Sequence, residues 1–290
     1  MTKQPLRVAI LEAERVLGES GVDSAQVEAE ILAAHVLGVE RWRLPLVPMV
    51  DPSVVDALRE VASRRARRVP LQHLLGTAYL AGVEVEVGPG VFVPRPETEL
   101  LHAWAAAKIA GVESPTVVDL CTGSGVLALA IAQAVPTATV HAVDVDPAAL
   151  SWARRNADLR REAGDTPIHL RRGDVTDPGL FAELAGAVDL VVCNPPYVPA
   201  GTPVPPEVSE HDPAVAVFAG ADGLDVIRHV IDRAARLLRP GGRLAVEHDD
   251  SHGETVPVLL RAHGAFTEVT DHPDLAGRPR FATAGRTVGS

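Results

Sequence analysis

Cysteine is nearly missing from this 290-residue chain, which has only Cys121 and Cys193, at a separation that matches no metal-binding pattern. Two such thiols make neither a disulfide framework nor a zinc site, and a reducing cytoplasm is the compartment expected. Aromatic residues are almost as scarce, with three Trp, two Tyr and five Phe, so Ala, Val and Leu must fill the core. No run of eighteen apolar residues occurs, and glutamates interrupt the apolar pattern of the opening MTKQPLRVAILEAERVLGES. Neither a membrane span nor a signal peptide is expected. Positive charge is also in deficit: 27 Lys and Arg stand against 38 Asp and Glu, a net charge of −11. The first eighty residues hold ten of each sign, so the whole deficit falls downstream. A net acidic region repels phosphate backbones, which argues against a direct grip on nucleic acid and leaves room for a basic protein partner.

What is present divides into two regions, and the length suits one large domain and one small one. Up to about residue 75 the apolar spacing is helical. PLRVAILEAERVLGESG places Leu6, Ala9, Ile10, Ala13 and Leu17 on one side and stops at Gly18 and Gly21. DSAQVEAEILAAHVLGV opens on a candidate cap, Asp23 or Ser24, and sets Val27, Ile31, Ala34 and Leu37 on one side. A third helix starts at Pro52 and stops before Pro70. Its end gathers Arg64, Arg65, Arg67 and Arg68, which suits either a solvated helix terminus or a docking patch for an acidic or RNA-containing partner. Residues 79–95 alternate apolar and polar around Gly88-Pro89-Gly90 and predict a β-hairpin. A helix follows from residue 98, and after Ser114 strands and helices alternate to the end. That alternation predicts an α/β domain with a mainly parallel sheet covered on both faces.

In open sheets of this kind ligands sit beyond the carboxyl ends of the strands. Three polar features fall there. In DLCTGSGVLALAIA, Gly123 and Gly125 follow a strand and open a helix, which lets backbone N–H groups approach a ligand closely. Asp144 ends the next strand, nineteen residues past Gly125, where an acid can accept both hydroxyls of a ribose; Asp146 reads instead as a helix cap. Asp174 and Val175 follow the third strand, suited to an adenine amino group and ring. A dinucleotide fold would carry a glycine three residues after Gly125, where Ala128 stands. Asp119 could bind an amino-acid ammonium, so the set of Asp119, Cys121, Thr122, Gly123, Ser124, Gly125, Asp144, Asp174 and Val175, bordered by Asn194, fits S-adenosylmethionine better than NAD.

The fourth strand ends on Asn194-Pro195-Pro196-Tyr197. An amide nitrogen is a poor nucleophile because its lone pair is delocalised, a conjugation reflected in a rotational barrier of about 18–20 kcal/mol. Two fixed acceptors, the Asn194 side-chain oxygen and the Pro195 carbonyl, could bind both N–H groups of an –NH2 and aim its lone pair at a sulfonium methyl. The prolines hold the second acceptor still, and Tyr197 offers a face to a planar target. A strand terminator beside a capping Asn is the alternative.

With these motifs in hand, the chain resembles the release-factor glutamine methyltransferases. The likeness runs through RRVPLQHLLG, VFVPRPETELL, DLCTGSGVLALAIA, AVDVDPAALSWARRNA, VVCNPPYVP, ADGLDVIRHVI, GGRLAVEH and DLAGRPRFATAGR. PRPETE ahead of the glycine turn, together with a helical N-terminal region, is characteristic of that family. The resemblance implies a seven-stranded Rossmann-like class I methyltransferase domain over 98–290, a hairpin linker over 79–97 and a helical substrate-docking domain over 1–78. It implies methylation of the side-chain amide of the Gly-Gly-Gln loop glutamine in peptide chain release factors, with Asn194, Pro195, Pro196 and Tyr197 as the catalytic motif and no metal. Arg95, Glu97 and Glu99 would lie near the pocket or form structural salt bridges. Three stretches depart from the family pattern: Cys121 at the usual first glycine, His211-Asp212-Pro213 where an aromatic residue, Glu and Pro are usual, and EHDDSHG, read as a solvated loop. The four-residue motif also serves enzymes that methylate exocyclic amines of DNA or RNA bases, against which the acidic catalytic region weighs. A non-catalytic protein retaining the fold is a third reading.

Overall fold

The computed structural model describes residues 2–288. Helix α1 (Leu6–Glu19) buries Leu6, Ala9, Ala13 and Leu17, the face its spacing predicts, against α2 (Ala25–Leu37) and α3 (Pro52–Ala66). The predicted face of α2 needs correction: Ala29, Leu32, Ala33 and Ala34 are buried while Val27 is exposed. Apolar residues occur on almost every side of α2, so helical period leaves several faces equivalent and packing chooses among them. Ser24 occupies the cap position but makes no side-chain cap bond. An antiparallel pair, β1 (Gln4–Pro5) with β2 (Met49–Val50), and a short α4 (Leu71–Leu75) complete this part.

The arginine cluster at the end of α3 is split by its environment. Arg65 is only 6 % exposed. Its Nε meets Glu28 Oε2 at 2.5 Å and its Nη1 meets Glu207 Oε1 at 2.8 Å, while Arg68 Nη2 meets the other Glu207 oxygen at 2.8 Å. Arg64 and Arg67 alone remain exposed. Glu207 comes from far downstream, and accordingly one compact unit runs to Thr77 and also takes in Pro205–His211.

The second unit comprises Ala78–Val204 and the chain from Asp212 onward. Its elements follow in order as β3 (Thr77–Leu80), β4 (Val83–Glu86), α5 (Thr98–Ile109), β5 (Thr116–Leu120), α6 (Val126–Ala134), β6 (Thr139–Asp144), α7 (Pro147–Glu162), β7 (His169–Arg172) and β8 (Val188–Cys193). Helix α8 (Pro206–His211) is the segment that belongs with the first unit, and then come α9 (Asp225–Leu237), β9 (Leu238–Glu247), α10 (Thr255–Ala262), β10 (Phe266–Pro273) and β11 (Pro279–Arg286). Seven strands form one sheet in the order β10-β11-β9-β8-β5-β6-β7, parallel from β9 to β7, with β11 antiparallel to both of its neighbours. Central strands feed cores on both faces. Val117, Leu190 and Val192 join one, and Val118, Leu120, Val191 and Cys193 join the other.

One predicted turn moves. The hairpin turns at Ala81-Gly82, both with positive φ (48° and 81°), rather than at Gly88-Pro89-Gly90. Positive φ at both central residues is the signature of a tight two-residue hairpin turn whose twist matches its strands. Gly88 is small for a different reason, since a Cβ there would lie 2.7 Å from the Trp152 ring, whose Nε1 donates to Pro89 O at 3.3 Å. Helix α9 ends at Leu237, where Leu238 is already extended two residues ahead of Pro240, and β9 begins at once.

The hairpin is no free connector, since Ala78, Leu80, Val83 and Val85 join the core that holds α6. Buried Asn156 on α7 fastens it. Its Oδ1 accepts from Glu86 N at 2.8 Å, and its Nδ2 donates to Glu86 O and to Ser124 O, each at 3.0 Å. One amide therefore joins the hairpin to the glycine turn. Replacing it with an apolar side chain of similar size strands three backbone groups. Asn156→Leu is expected to lower the unfolding free energy by about 3 kcal/mol, read by urea denaturation against wild type.

Candidate active site

The chain leaves β5 toward β6 and β7 on one side, then returns to lay β8 on the other side of β5. Consecutive connections depart in opposite directions there, opening a crevice at the carboxyl ends of β5 and β8. The sequence-predicted residues gather along this edge. Asp119 lies one residue before the end of β5 and Cys121–Gly125 follow it, Asp144 ends β6, Asp174 and Val175 follow β7, and Asn194–Tyr197 follow β8.

The turn after β5 is built from left-handed residues: Cys121, Gly123 and Gly125 have φ of 60°, 57° and 82°. Glycine tolerates this region freely; Cys121 does not, so the turn holds a side chain where the backbone would favour none. Gly125 has a second reason for lacking a side chain, because a Cβ would sit 3.3 Å from that of Ala153 on α7. The thiols of Cys121 and Cys193 are both free, and burial pushes the Cys193 thiol well up, with Cys121 beside it adding to the rise.

Carboxylates surround the turn. Asp119 is 1 % exposed, receives the Thr122 hydroxyl at 2.6 Å, and among the described residues has no cation partner. Burial and, to a lesser extent, the nearby Asp144 raise its pKa to about 7, against the pull of that hydroxyl. Asp144 accepts from Gly123 N at 2.8 Å through one oxygen and from Asp146 N at 2.9 Å through the other. Burial lifts its pKa too, while those backbone donors lower it. Asp174 is exposed and folded onto its own loop, with Oδ1 accepting from Thr176 N and Oγ1 at 2.8 Å each, which lowers its pKa and leaves Oδ2 uncommitted. Arg233 fixes that loop by donating to the carbonyl of Pro178 at 2.8 Å and to that of Asp177. Asp146 caps α7 as expected, accepting from Ala148 N at 2.8 Å. A buried acid with no cation beside a second acid suits a ligand carrying positive charge, and the residues present fit S-adenosylmethionine on that ground.

Beyond β8, Pro195 and Pro196 are buried while Asn194 and Tyr197 are half-buried. Asn194 Nδ2 donates to Thr98 Oγ1 at 3.1 Å. Thr98 in turn donates to Glu247 Oε2 at 2.8 Å, and the Tyr197 hydroxyl donates to Glu247 Oε1 at 3.0 Å. Glu247 is 1 % exposed, and burial raises its pKa to about 7 although both hydroxyls favour the anion. Burial and the adjacent Glu247 likewise push the Tyr197 phenol upward. Among the described residues nothing donates to the Pro195 carbonyl or to Asn194 Oδ1. The segment after the motif is clamped: Val198 N donates to Val217 O and Ala219 N to Val198 O. Gly223 lies so close that a Cβ would come within 2.3 Å of the Tyr197 carbonyl.

Other expectations resolve individually. Arg95 pairs with buried Asp212 at 2.6 Å and stacks on Phe92, and Glu99 accepts from Ala81 N at 3.1 Å, so both have structural partners. Glu97 stands near Glu247 and raises its pKa. The EHDDSHG stretch is not a solvated loop. His248 is fully buried, with Nε2 2.8 Å from Asp271 Oδ1, and His252 is buried with Nε2 3.0 Å from Asp222 O. Packing under β11 and the loop before α9 explains the difference. No three His, Cys, Asp or Glu among the described residues come together as a metal site. Sequence reasoning missed Thr98, Glu247 and Asn156. The available signal for Glu247 was its position, an acid on the last residue of a central strand at the ligand-binding edge.

Comparison with known proteins accords with this geometry. The family model of the PrmC N-terminal domain matches residues 9–76, and that of the methyltransferase small domain matches residues 96–206. The release factor glutamine methyltransferase of Mycolicibacterium smegmatis is 51 % identical over 285 residues, covering 98 % of this chain and 99 % of its own. Those of Streptomyces coelicolor and Deinococcus radiodurans are 47 % and 41 % identical, each covering 98 % of this chain and 99 % of their own. Among solved structures, the T. thermophilus 16S rRNA N2 G1207 methyltransferase in complex with AdoMet and guanosine aligns with TM-score 0.51 and 23 % identity, over 72 % of this chain and 49 % of that one. The hMettl16 catalytic domain aligns with TM-score 0.55 and 15 % identity, over 80 % of this chain and 83 % of that one, and at such identities the likeness concerns the fold. With half its residues shared over nearly the full length of its relatives, the chain belongs to the release factor glutamine methyltransferase family.

Proposed function

We propose that this protein transfers a methyl group from S-adenosylmethionine to the side-chain amide nitrogen, N5, of the glutamine in the Gly-Gly-Gln loop of a peptide chain release factor. The observation that carries this reading is the pair of uncommitted acceptors after β8. Asn194 spends its Nδ2 on Thr98, leaving Oδ1 free, and the Pro195 carbonyl has no donor among the described residues. A primary carboxamide has two N–H groups and needs two such oxygens.

S-adenosylmethionine, when bound, supplies an electrophilic methyl on a sulfonium. The acidic turn is suited to its charge: Asp119 to the ammonium, Asp144 to the ribose hydroxyls, and Asp174 with Val175 to the adenine. The backbone of Cys121–Gly125 gives the close approach. Asn194 Oδ1 and Pro195 O orient the glutamine nitrogen so that its lone pair faces the methyl. As positive charge grows on the glutamine nitrogen during methyl transfer, the hydrogen bonds to Asn194 Oδ1 and Pro195 O would both strengthen. The nitrogen then releases one proton to water and regains amide conjugation. Each preorganised acceptor is worth about 3 kcal/mol in the transition state, or roughly a hundredfold in rate. Tyr197, held by Glu247, presents its ring to the planar carboxamide.

The helical unit is the part we assign to docking the release factor. Arg64 and Arg67 are its exposed cations at the end of α3, since Arg65 and Arg68 are engaged internally. Two unpaired thiols beside the cofactor turn favour a reducing cytoplasm, and no helix among the described residues is long and apolar enough to cross a membrane.

Labelled S-adenosylmethionine is expected to mark wild-type release factor and not a variant whose loop glutamine is replaced; label on that variant would refute the assignment. Asn194→Ala is expected to lower kcat about a hundredfold while calorimetry finds cofactor affinity little changed. Asp119 holds a proton in the folded protein up to about pH 7 and loses it near its ordinary value when unfolded. Its contribution to stability is therefore present at low pH and lost as pH rises through about 7. Ligand-free Asp119→Asn should consequently lose less thermal stability than wild type between acid and mildly alkaline buffer, read as the difference in Tm.

A further inference from the structure

A carboxamide side chain has two ends of similar shape and opposite hydrogen-bonding character. Only one orientation of Asn194 offers oxygen to a substrate –NH2. The reversed orientation sets donor against donor, so any reversed fraction is inactive and lowers turnover in proportion. Something must choose between the two.

The choice can be traced atom by atom. An ionised carboxylate only accepts hydrogen bonds. Glu247 takes the Tyr197 hydroxyl on Oε1 at 3.0 Å and the Thr98 hydroxyl on Oε2 at 2.8 Å. Thr98 has a single hydroxyl proton. With that proton committed to Glu247, its oxygen faces Asn194, 3.1 Å away, with lone pairs alone. Only the Nδ2 end of the amide can stand there, and Oδ1 is turned to the site. Glu247 and Thr98 are both buried, at 1 % and 4 % exposure, so water does not readily substitute for either partner.

We propose that Thr98 and Glu247 are positioning residues, a fixed acceptor and a one-proton hydroxyl that together hold the Asn194 amide in its accepting orientation. This inference rests on the reading that Asn194 receives an N–H of the glutamine amide. The charged and titratable groups facing Glu247 are Tyr197 after β8, Arg280 on β11 and Glu97 at the start of α5. Arg280 favours the anion and Glu97 opposes it, with burial raising the pKa to about 7, so the acceptor-only form predominates above neutrality. PRPETE thereby acquires a role beyond the Arg95–Asp212 salt bridge, since Thr98 is the residue of that motif bonded to the catalytic asparagine.

The test uses full-length enzyme, release factor and S-adenosylmethionine at mildly alkaline pH. Thr98→Val keeps the shape and removes the hydroxyl; its kcat is expected to fall about tenfold or more, with KM for release factor and the Kd for S-adenosylmethionine unchanged within about threefold. Thr98→Ser, which restores the hydroxyl, should stay within about threefold of wild-type kcat. Glu247→Leu frees the Thr98 proton to turn toward Asn194 and should lower kcat similarly. In the double variant the two losses should not multiply, because both remove one device. Wild-type kcat in Thr98→Val, or equal damage in Thr98→Ser and Thr98→Val, would overturn the proposal while leaving glutamine methylation by wild type intact. Multiplying losses in the double variant would overturn it as well. Failure of wild type to methylate the glutamine would remove the functional reading and this inference together.

Discussion

The reversal of strand order between the parallel strands β5 and β8 is the constraint on which the site depends. Parallel strands need long crossovers, and crossovers leaving in opposite directions cannot close over the gap between them. The polar residues of the site lie at the carboxyl ends of β5, β6, β7 and β8 or just beyond them, or reach that edge from α5 and β9. The interior beneath is almost wholly aliphatic and divided into two cores by the sheet. Polar chemistry is thereby confined to one rim, where backbone groups lack ladder partners.

Two carboxylates lie deep in that rim, and each is costly to bury. Asp119 has one hydroxyl donor and, among the described residues, no cation, so its charge is incompletely compensated until something positive arrives. Glu247 has two hydroxyl donors and Arg280 nearby, a nearly self-sufficient arrangement. The contrast separates their settings: the first acid has a single hydroxyl donor with a second acid nearby, and the second is satisfied internally. Acids of similar pKa, both near 7, thus differ in their partners.

Much of this was legible in the sequence wherever the signal was local. The glycine turn, Asp144 at its spacing, the cap at Asp146 and the Asn-Pro-Pro-Tyr motif each lie within a few residues of the strand that positions them. The Thr98–Glu247 bond was not legible, because it joins residues 149 positions apart and neither is unusual alone. Asn156 was hidden for the same reason, inside a helix whose charged neighbours suggest a solvent face. The hairpin turn was misplaced because Gly88-Pro89-Gly90 looks like turn chemistry, whereas Gly88 answers to the Trp152 ring from another element. The α2 face failed through excess of signal, with apolar residues in nearly every direction.

Glu207 carries a consequence for how the polypeptide can be divided. The Asn-Pro-Pro-Tyr motif and the helix bearing Glu207 are only a few residues apart along the chain, yet that helix folds with residues from the first quarter of the sequence. No single backbone cut therefore yields both folded parts. A fragment beginning at residue 78 would carry Glu207 away with it, and Arg65 would keep Glu28 as its remaining counter-ion.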